Sequence, residues 1–399
     1  MPASFGAYCP SHAIAHQLIS PTSFDPHKAE KAVMMLAQGI VACFQRALEG
    51  HVLRQNRDTP RDIHDAQSML AELYLLEGKE DISGDFHGLM ARCRRPFTDP
   101  AWQLECLAHP DFPYRDVALV RNSLSAPTPD CIELAQMGGM RGVANLHEYF
   151  AHRRLRDMVD DVRQLVPDAY RLLREGIARN SLVSEMKLTN YLVESDLGQL
   201  RAELRLHYFD RVPKSLLING LAYRCASCHT LMHPHRDPVR YPHGMCPIPS
   251  CAGFMSSEAL DPVKDGELLV AKPHILEYWV APALDELRIY DRAVELGLSV
   301  VLYPGEDLAD VGFGEGRECG ADVKGYASPV LLAHRLRNNI GGLAKFGRRI
   351  LVISDYCFAA RPDYKERLRE QWTPNCPAWS LEIVTVSEML QMLEERPRG

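Results

Sequence analysis

The chain has 399 residues, 46% of them apolar and 24% charged, with a formal charge of −7. Length and balance predict a globular protein of two or three domains, and the negative charge excludes an indiscriminate polyanion binder, so any nucleic-acid site has to be a local basic patch. No apolar run approaches the ~18 residues of a membrane span. The opening MPASFGAYCPSHAIAHQL lacks the basic stretch and long apolar core of a secretory leader. A cytoplasmic protein without membrane contact is expected, with its twelve cysteines mostly as thiols.

Residues 1–215 read as mainly helical, a scaffold or partner-binding region. HKAEKAVMMLAQGIVACFQRAL (27–48), NLHEYFAHRRLRDMVDDVRQLV (145–166) and DAYRLLREGIAR (168–179) repeat apolar residues at helical spacing. Pro- and Asp-rich stretches between about 96 and 130 read as loops. From 221 to 256 helical periodicity gives way to crowded Cys, His, Pro and Gly. The stretch 270–399 reads as α/β. A helix over 281–298 is followed by strands over 299–305, 308–313 and 319–326, with a GEGRE turn between the last two. A helix from Ser328, a strand over 348–355, a helix over 363–372, a strand over 380–386 and a closing helix complete it. The order α-β-β-β-α-β predicts a mixed sheet with a hairpin in its middle. The fold class expected is therefore multidomain α+β: a helical N-terminal region, a small metal ribbon and a C-terminal α/β domain.

CASCH supplies Cys225 and Cys228, and CPIPSC supplies Cys246 and Cys251. Two close pairs separated by a loop have the spacing of a structural zinc site, because tetrahedral thiolates need short knuckles that each present two sulfurs. Haem attachment through C-x-x-C-H would leave the second pair unused, and a redox pair belongs at a strand-to-helix turn. Four protein sulfurs leave no open position, so a folding role is expected for the zinc. His229 is the substitute ligand should one sulfur not bind.

An acid two residues before a lysine occurs four times, at Glu77, Glu185, Asp322 and Asp363. Only Asp322 and Lys324 fall on a predicted strand, where residues two apart project from one face. The hairpin at 314–318 would bring Asp310 beside them. Two carboxylates suit a hard divalent cation, Mg²⁺ or Mn²⁺, with the Val323 carbonyl as a further ligand. Lys324 would orient or activate a water. Asp307, in the PGED turn, competes with Asp310 as first acid, and Asp310 is preferred because it falls within the predicted strand.

Element order together with Asp310, Asp322 and Lys324 resembles the restriction-endonuclease-like, PD-(D/E)xK nuclease superfamily over roughly 275–390. The resemblance implies metal-dependent cleavage of phosphodiester bonds, normally in DNA. It also implies an acid on the first helix, for which Glu286 matches best and Glu295 is the alternative. Asp310 departs from the pattern in lacking a preceding Pro. From Gly325 to Ser354 the chain has no acid and carries Arg335, Arg337, Lys345, Arg348 and Arg349, a basic stretch suited to phosphate contacts. The whole arrangement resembles the endonuclease component associated with pPIWI-RE proteins in bacterial conflict systems. That implies antiviral defence against invading DNA, with DNA, an Argonaute-like (PIWI) protein and a helicase as partners and a homodimer left open. Two other readings stand beside it: a non-catalytic DNA-recognition adaptor, and a metal-dependent hydrolase of another substrate.

Overall fold

Helix Pro26–Leu48 buries Ala29, Val33, Leu36, Ala37 and Ile40 along one stripe, the spacing a helix needs to present a single apolar face. In the computed structural model, which describes residues 26–48, 58–121, 126–140, 146–248, 251, 259–260, 262–263, 267–373 and 379–395, that face packs on helices Arg61–Leu76 and Pro129–Met137. Phe97, Trp102 and Phe112 fill the space between. Leu331, from far along the chain, completes this first core.

A second core begins at helix Leu146–Asp160 and includes helices Ala169–Arg179, Glu185–Glu194 and Arg201–Tyr208. It also contains strands that the helical reading of this half did not anticipate. β1 (Leu182–Ser184), β2 (Phe209–Arg211) and β3 (Leu268–Ala271) form an antiparallel sheet with β3 in the middle. Strands of three or four residues are too short to display alternation in a sequence. The cysteine segment thus leaves at β2 and returns as the central strand β3. Its four cysteines are buried in the same core as Tyr208, Leu269 and Trp279.

After a π-helical turn, Leu276–Val280, comes helix Ala281–Glu295 and a five-stranded sheet. The sheet order is β4 (Val300–Leu302), β5 (Val311–Phe313), β6 (Cys319–Lys324), β7 (Arg348–Ile353) and β8 (Glu382–Thr385). β4, β5 and β6 pair antiparallel, while β6, β7 and β8 run parallel, so the sheet is mixed as expected. β7 is buried on both faces. Ile350 and Val352 meet the core under helices Ala281–Glu295 and Val386–Glu394, and Leu351 and Ile353 meet the core under helices Pro329–Asn338 and Tyr364–Gln371.

All five strands of this sheet are shorter than predicted, and the first two keep only three residues each. β4 ends at Leu302 because Tyr303, Gly305, Glu306 and Asp307 adopt left-handed backbone, with φ of 51°, 58°, 60° and 74°. β5 begins at Val311, so Asp310 stands one residue before it, although its N–H still donates to the Ala321 carbonyl at 3.0 Å. Among the described residues no helix is long and apolar enough to cross a membrane.

The first core clasps the segment that follows β6. Asp130 accepts hydrogen bonds from the N–H groups of Ala327 (3.2 Å) and Ser328 (3.1 Å), and Glu133 pairs with His334 at 2.6 Å. Burial pushes the Asp130 carboxyl up to about 6, in spite of those donors. A carboxyl raised in the fold contributes stability that is full below its unfolded value and lost as pH climbs through its folded one. For Asp130 the loss is about 3 kcal/mol. Asp130→Asn stays neutral and carries only a constant offset from its altered hydrogen bonds. The melting temperature of the variant relative to wild type should therefore rise between about pH 4 and 6 and level off above. A difference that stays flat over that range would show that the fold leaves the Asp130 carboxyl unshifted, and one that keeps climbing above it would show that Asp130 does not ionise inside the fold.

Candidate active site and metal centre

The cysteines come together as the spacing predicts. Cys225, Cys228, Cys246 and Cys251 have all four sulfurs within 4.8 Å of one another, and all four residues are buried. The Sγ atoms of Cys225 and Cys251 are 3.7 Å apart, and those of Cys228 and Cys246 are 3.4 Å apart. Sulfurs at the ~2.3 Å Zn–S bond length and tetrahedral angles stand about 3.8 Å apart, whereas a disulfide would bring two of them to ~2.05 Å. The cluster therefore fits a four-thiolate metal site. His229 is exposed, at φ 58°, where it lets the first knuckle turn. It lies outside the sulfur group, so it is not the substitute ligand.

The second site gathers at the end of β6. Asp322 and Lys324 project from one face of the strand, and their side chains pair at 2.7 Å, 20% and 31% exposed. Val323, between them, turns its side chain into the core. Asp310 reaches them across the hairpin: its Oδ2 accepts the Val323 N–H at 2.6 Å, and the residue is buried. Burial pushes the Asp310 carboxyl well above the ordinary range, and the neighbouring charges of Glu286 and Asp322 push it further. Burial pulls the Lys324 ammonium down, but Asp322 and Asp310 prevail and hold it above its ordinary value.

Glu286 comes from the first helix of this domain, as anticipated. It is buried and accepts a hydrogen bond from the Tyr303 hydroxyl at 2.7 Å. Burial raises its carboxyl, eased by Arg174 and Tyr303. It does not close with Asp310 and Asp322 into one ligand group: among the described residues, the cysteines form the one set of three or more candidate ligands with all donor atoms within 4.8 Å. Glu295 lies at the other end of its helix and pairs with Arg292 at 2.9 Å. Asp307, the competing first acid, is engaged by Arg174, Tyr170 and His152, and the charge of Asp322 still reaches it.

The basic stretch is divided by the fold. Arg335 and Arg337 ride on helix Pro329–Asn338, which begins just after the site; Arg335 is exposed, and Arg337 donates to the Gln371 carbonyl at 3.1 Å. Arg348 and Arg349 open β7. Arg348 sits beside Cys319, five residues from Lys324, or roughly 17 Å along the strand. Arg348 pairs with Glu382 of β8 at 2.6 Å, Arg349 donates to the Ala344 carbonyl at 3.4 Å, and Lys345 nearby is exposed. A stretch free of acids in sequence is thus not free of them in space.

Residues 283–399 match the family model described as REase associating with pPIWI_RE. The matched segment holds Glu286, Asp310, Asp322 and Lys324, and stops short of the cysteines and the helical half. No curated protein and no solved structure matches the chain.

Four residues around the site carried no signal in the sequence: His152, Tyr170, Arg174 and Tyr303. The first three belong to the helical half and approach Asp307 from more than a hundred positions away. Their neighbours in sequence gave ordinary helical periodicity and nothing else.

Proposed function

We propose that this chain is a metal-dependent endonuclease that hydrolyses phosphodiester bonds in DNA. The proposal places it in a bacterial defence against invading DNA, beside an Argonaute-like PIWI protein and a helicase. One observation carries the reading. Within the segment that matches the REase model, Asp322 and Lys324 share a strand face, and Asp310 is hydrogen-bonded to the peptide N–H between them.

Two carboxylates and the Val323 carbonyl form a donor set of hard oxygens, as Mg²⁺ or Mn²⁺ requires. Burial does most to raise the Asp310 carboxyl, and the crowding of negative charge that adds to it is what a bound cation would relieve. A bound ion would polarise the scissile phosphate and acidify a water. The protein's own side chains do the rest. Lys324, an ammonium, donates toward the attacking water or the phosphoryl oxygens and stabilises charge that builds there. Glu286 acts from behind, through Tyr303. The sulfur cluster holds a structural zinc that keeps the central strand of the first sheet in place.

Supercoiled plasmid incubated with Mg²⁺ or Mn²⁺, against a chelated control, tests the reading. Metal-dependent nicking or linearisation is expected. Absence of cleavage both alone and with a PIWI partner and helicase would favour a recognition adaptor that retains the fold without the chemistry.

DNA contact is assigned to the basic residues after the site, and exposed Arg335 and Lys345 are best placed to reach phosphates without breaking an ion pair. Replacing Arg335 by alanine should weaken duplex binding at all sequences alike and reduce the slope of log affinity against log salt by about 1. Fluorescence anisotropy across a salt series measures this. An unchanged slope would remove Arg335 from the interface.

A further inference from the structure

We propose that Arg174, supplied by the helical half, is a positioning residue of the nuclease site. The proposal rests on the nuclease reading and extends it to a part of the chain for which neither sequence nor family match gave a role.

Arg174 lies in helix Ala169–Arg179 and is 8% exposed. Its guanidinium stacks on the Tyr303 ring at 3.8 Å and lies over Trp279 at 5.8 Å. One arm pairs with Asp307, and Nη2 stands 3.8 Å from Glu286 Oε2. Tyr303 donates its hydroxyl to that same Glu286 oxygen, and its N–H to the Asp310 carbonyl at 2.9 Å. One planar cation therefore touches the acid on the first helix, the aromatic ring that holds that acid, and the turn leading into Asp310.

That turn needs holding. Tyr303, Glu306 and Asp307 are non-glycine residues in the left-handed region, each at a cost on the order of 1 kcal/mol or more, a conformation that persists only where surrounding contacts over-determine it. The contacts come from the helical half. Arg174, Tyr170 and His152 converge on Asp307, and Arg163 pairs with Glu306 at 2.8 Å. Three residues after Asp307 the chain delivers Asp310 to β6. The helical half thus sets the turn, and the turn sets the first acid.

A buried ion pair could instead serve stability alone, and the two roles differ in sign at the metal site. Removing only a positive charge near the acids would tighten binding of a cation. Removing a positioning contact would loosen it. In the full zinc-loaded chain, with Asp322→Ala as the blank, Mn²⁺ titrated by electron paramagnetic resonance should bind Arg174→Ala about 10-fold or more weakly than wild type. Where cleavage is measured alongside, kcat should fall by a similar ~10-fold or more with KM for plasmid little changed. Arg174→Lys keeps the charge but cannot stack flat on Tyr303 while reaching two acids, so it should resemble Arg174→Ala rather than wild type. Should Arg174→Ala not fold, Arg174→Met removes the same charge while keeping most of the side-chain volume and should weaken Mn²⁺ in the same direction.

Unchanged or tighter Mn²⁺ binding in these variants, or full recovery in Arg174→Lys, overturns the positioning role while leaving the nuclease reading intact. Wild type that binds no more Mn²⁺ than the Asp322→Ala blank overturns both.

Discussion

Asp322→Asn and Lys324→Ala should each lower metal-dependent plasmid cleavage by roughly 10²–10³-fold or more, the scale seen when a preorganised charged group is removed from a reacting centre. Their effects on stability should differ in size. Asp322 contributes negative charge beside Asp310, whose carboxyl is already raised by burial and by its acidic neighbours. Neutralising Asp322 relieves that crowding but also weakens the pair with Lys324, so the two effects oppose and the variant should melt near the wild-type temperature. Lys324 is the cation paired with Asp322 and felt by Asp310. Deleting it leaves the acids less compensated and should lower the melting temperature. A residue kept for packing loses stability when it is replaced. A residue kept for chemistry often gains some. Parallel cleavage assays and thermal melts separate the two, and cleavage that persists in both variants would sink the assignment of the site.

The strand face carrying Asp322 and Lys324 was legible because alternation in a strand is local: two residues apart means one face. The same held for the hairpin that brings Asp310 across, since five residues rich in glycine and charge between two apolar runs have few other ways to fold. The cysteine knuckles were legible because thiol spacing encodes ligand geometry directly.

What escaped the sequence was non-local. β1, β2 and β3 are too short to alternate visibly, and they pair only because the ribbon folds the chain back on itself. The PGED turn was legible, but its left-handed backbone from 303 to 307, which shortens two predicted strands, had only Gly305 as a local hint. Arg174 reads as one basic residue among several on an amphipathic helix, and its partners Asp307 and Glu286 lie more than a hundred positions further on. The basic stretch misleads in the opposite sense. Its lack of acids is real along the chain, yet Glu382 and Glu133 answer Arg348 and His334 from other elements. Local pattern reports what a segment can present, while compensation by distant segments decides what remains available.

Loss of the ribbon's metal should unfold far more than the ribbon. In many proteins a small zinc module is an appendage whose melting leaves its host intact. Here Cys225, Cys228, Cys246 and Cys251 are part of the same buried core as Leu204, Tyr208, Leu269 and Trp279. The segment they close connects β2 to β3, and β3 is the strand to which both β1 and β2 are hydrogen-bonded. Opening the ribbon releases the middle of that sheet and the floor beneath the helix that carries Arg174. The magnitudes agree with a global effect. Structural zinc contributes about 10–16 kcal/mol of apparent free energy in isolated modules, as much as the ~5–15 kcal/mol net stability of an ordinary domain. Cys246→Ser, or stripping with a strong chelator, should therefore abolish the cooperative melt of the region from Leu146 to Val280 and take cleavage with it. Metal analysis of the intact protein should return close to one zinc per chain, the stoichiometry of a four-thiolate site. Circular dichroism and limited proteolysis would follow the loss. A melting temperature within about 3 °C of wild type after complete zinc removal, which for a domain of this size is well under 2 kcal/mol, would reduce the cluster to a surface fastening and separate it from the site it is argued to support.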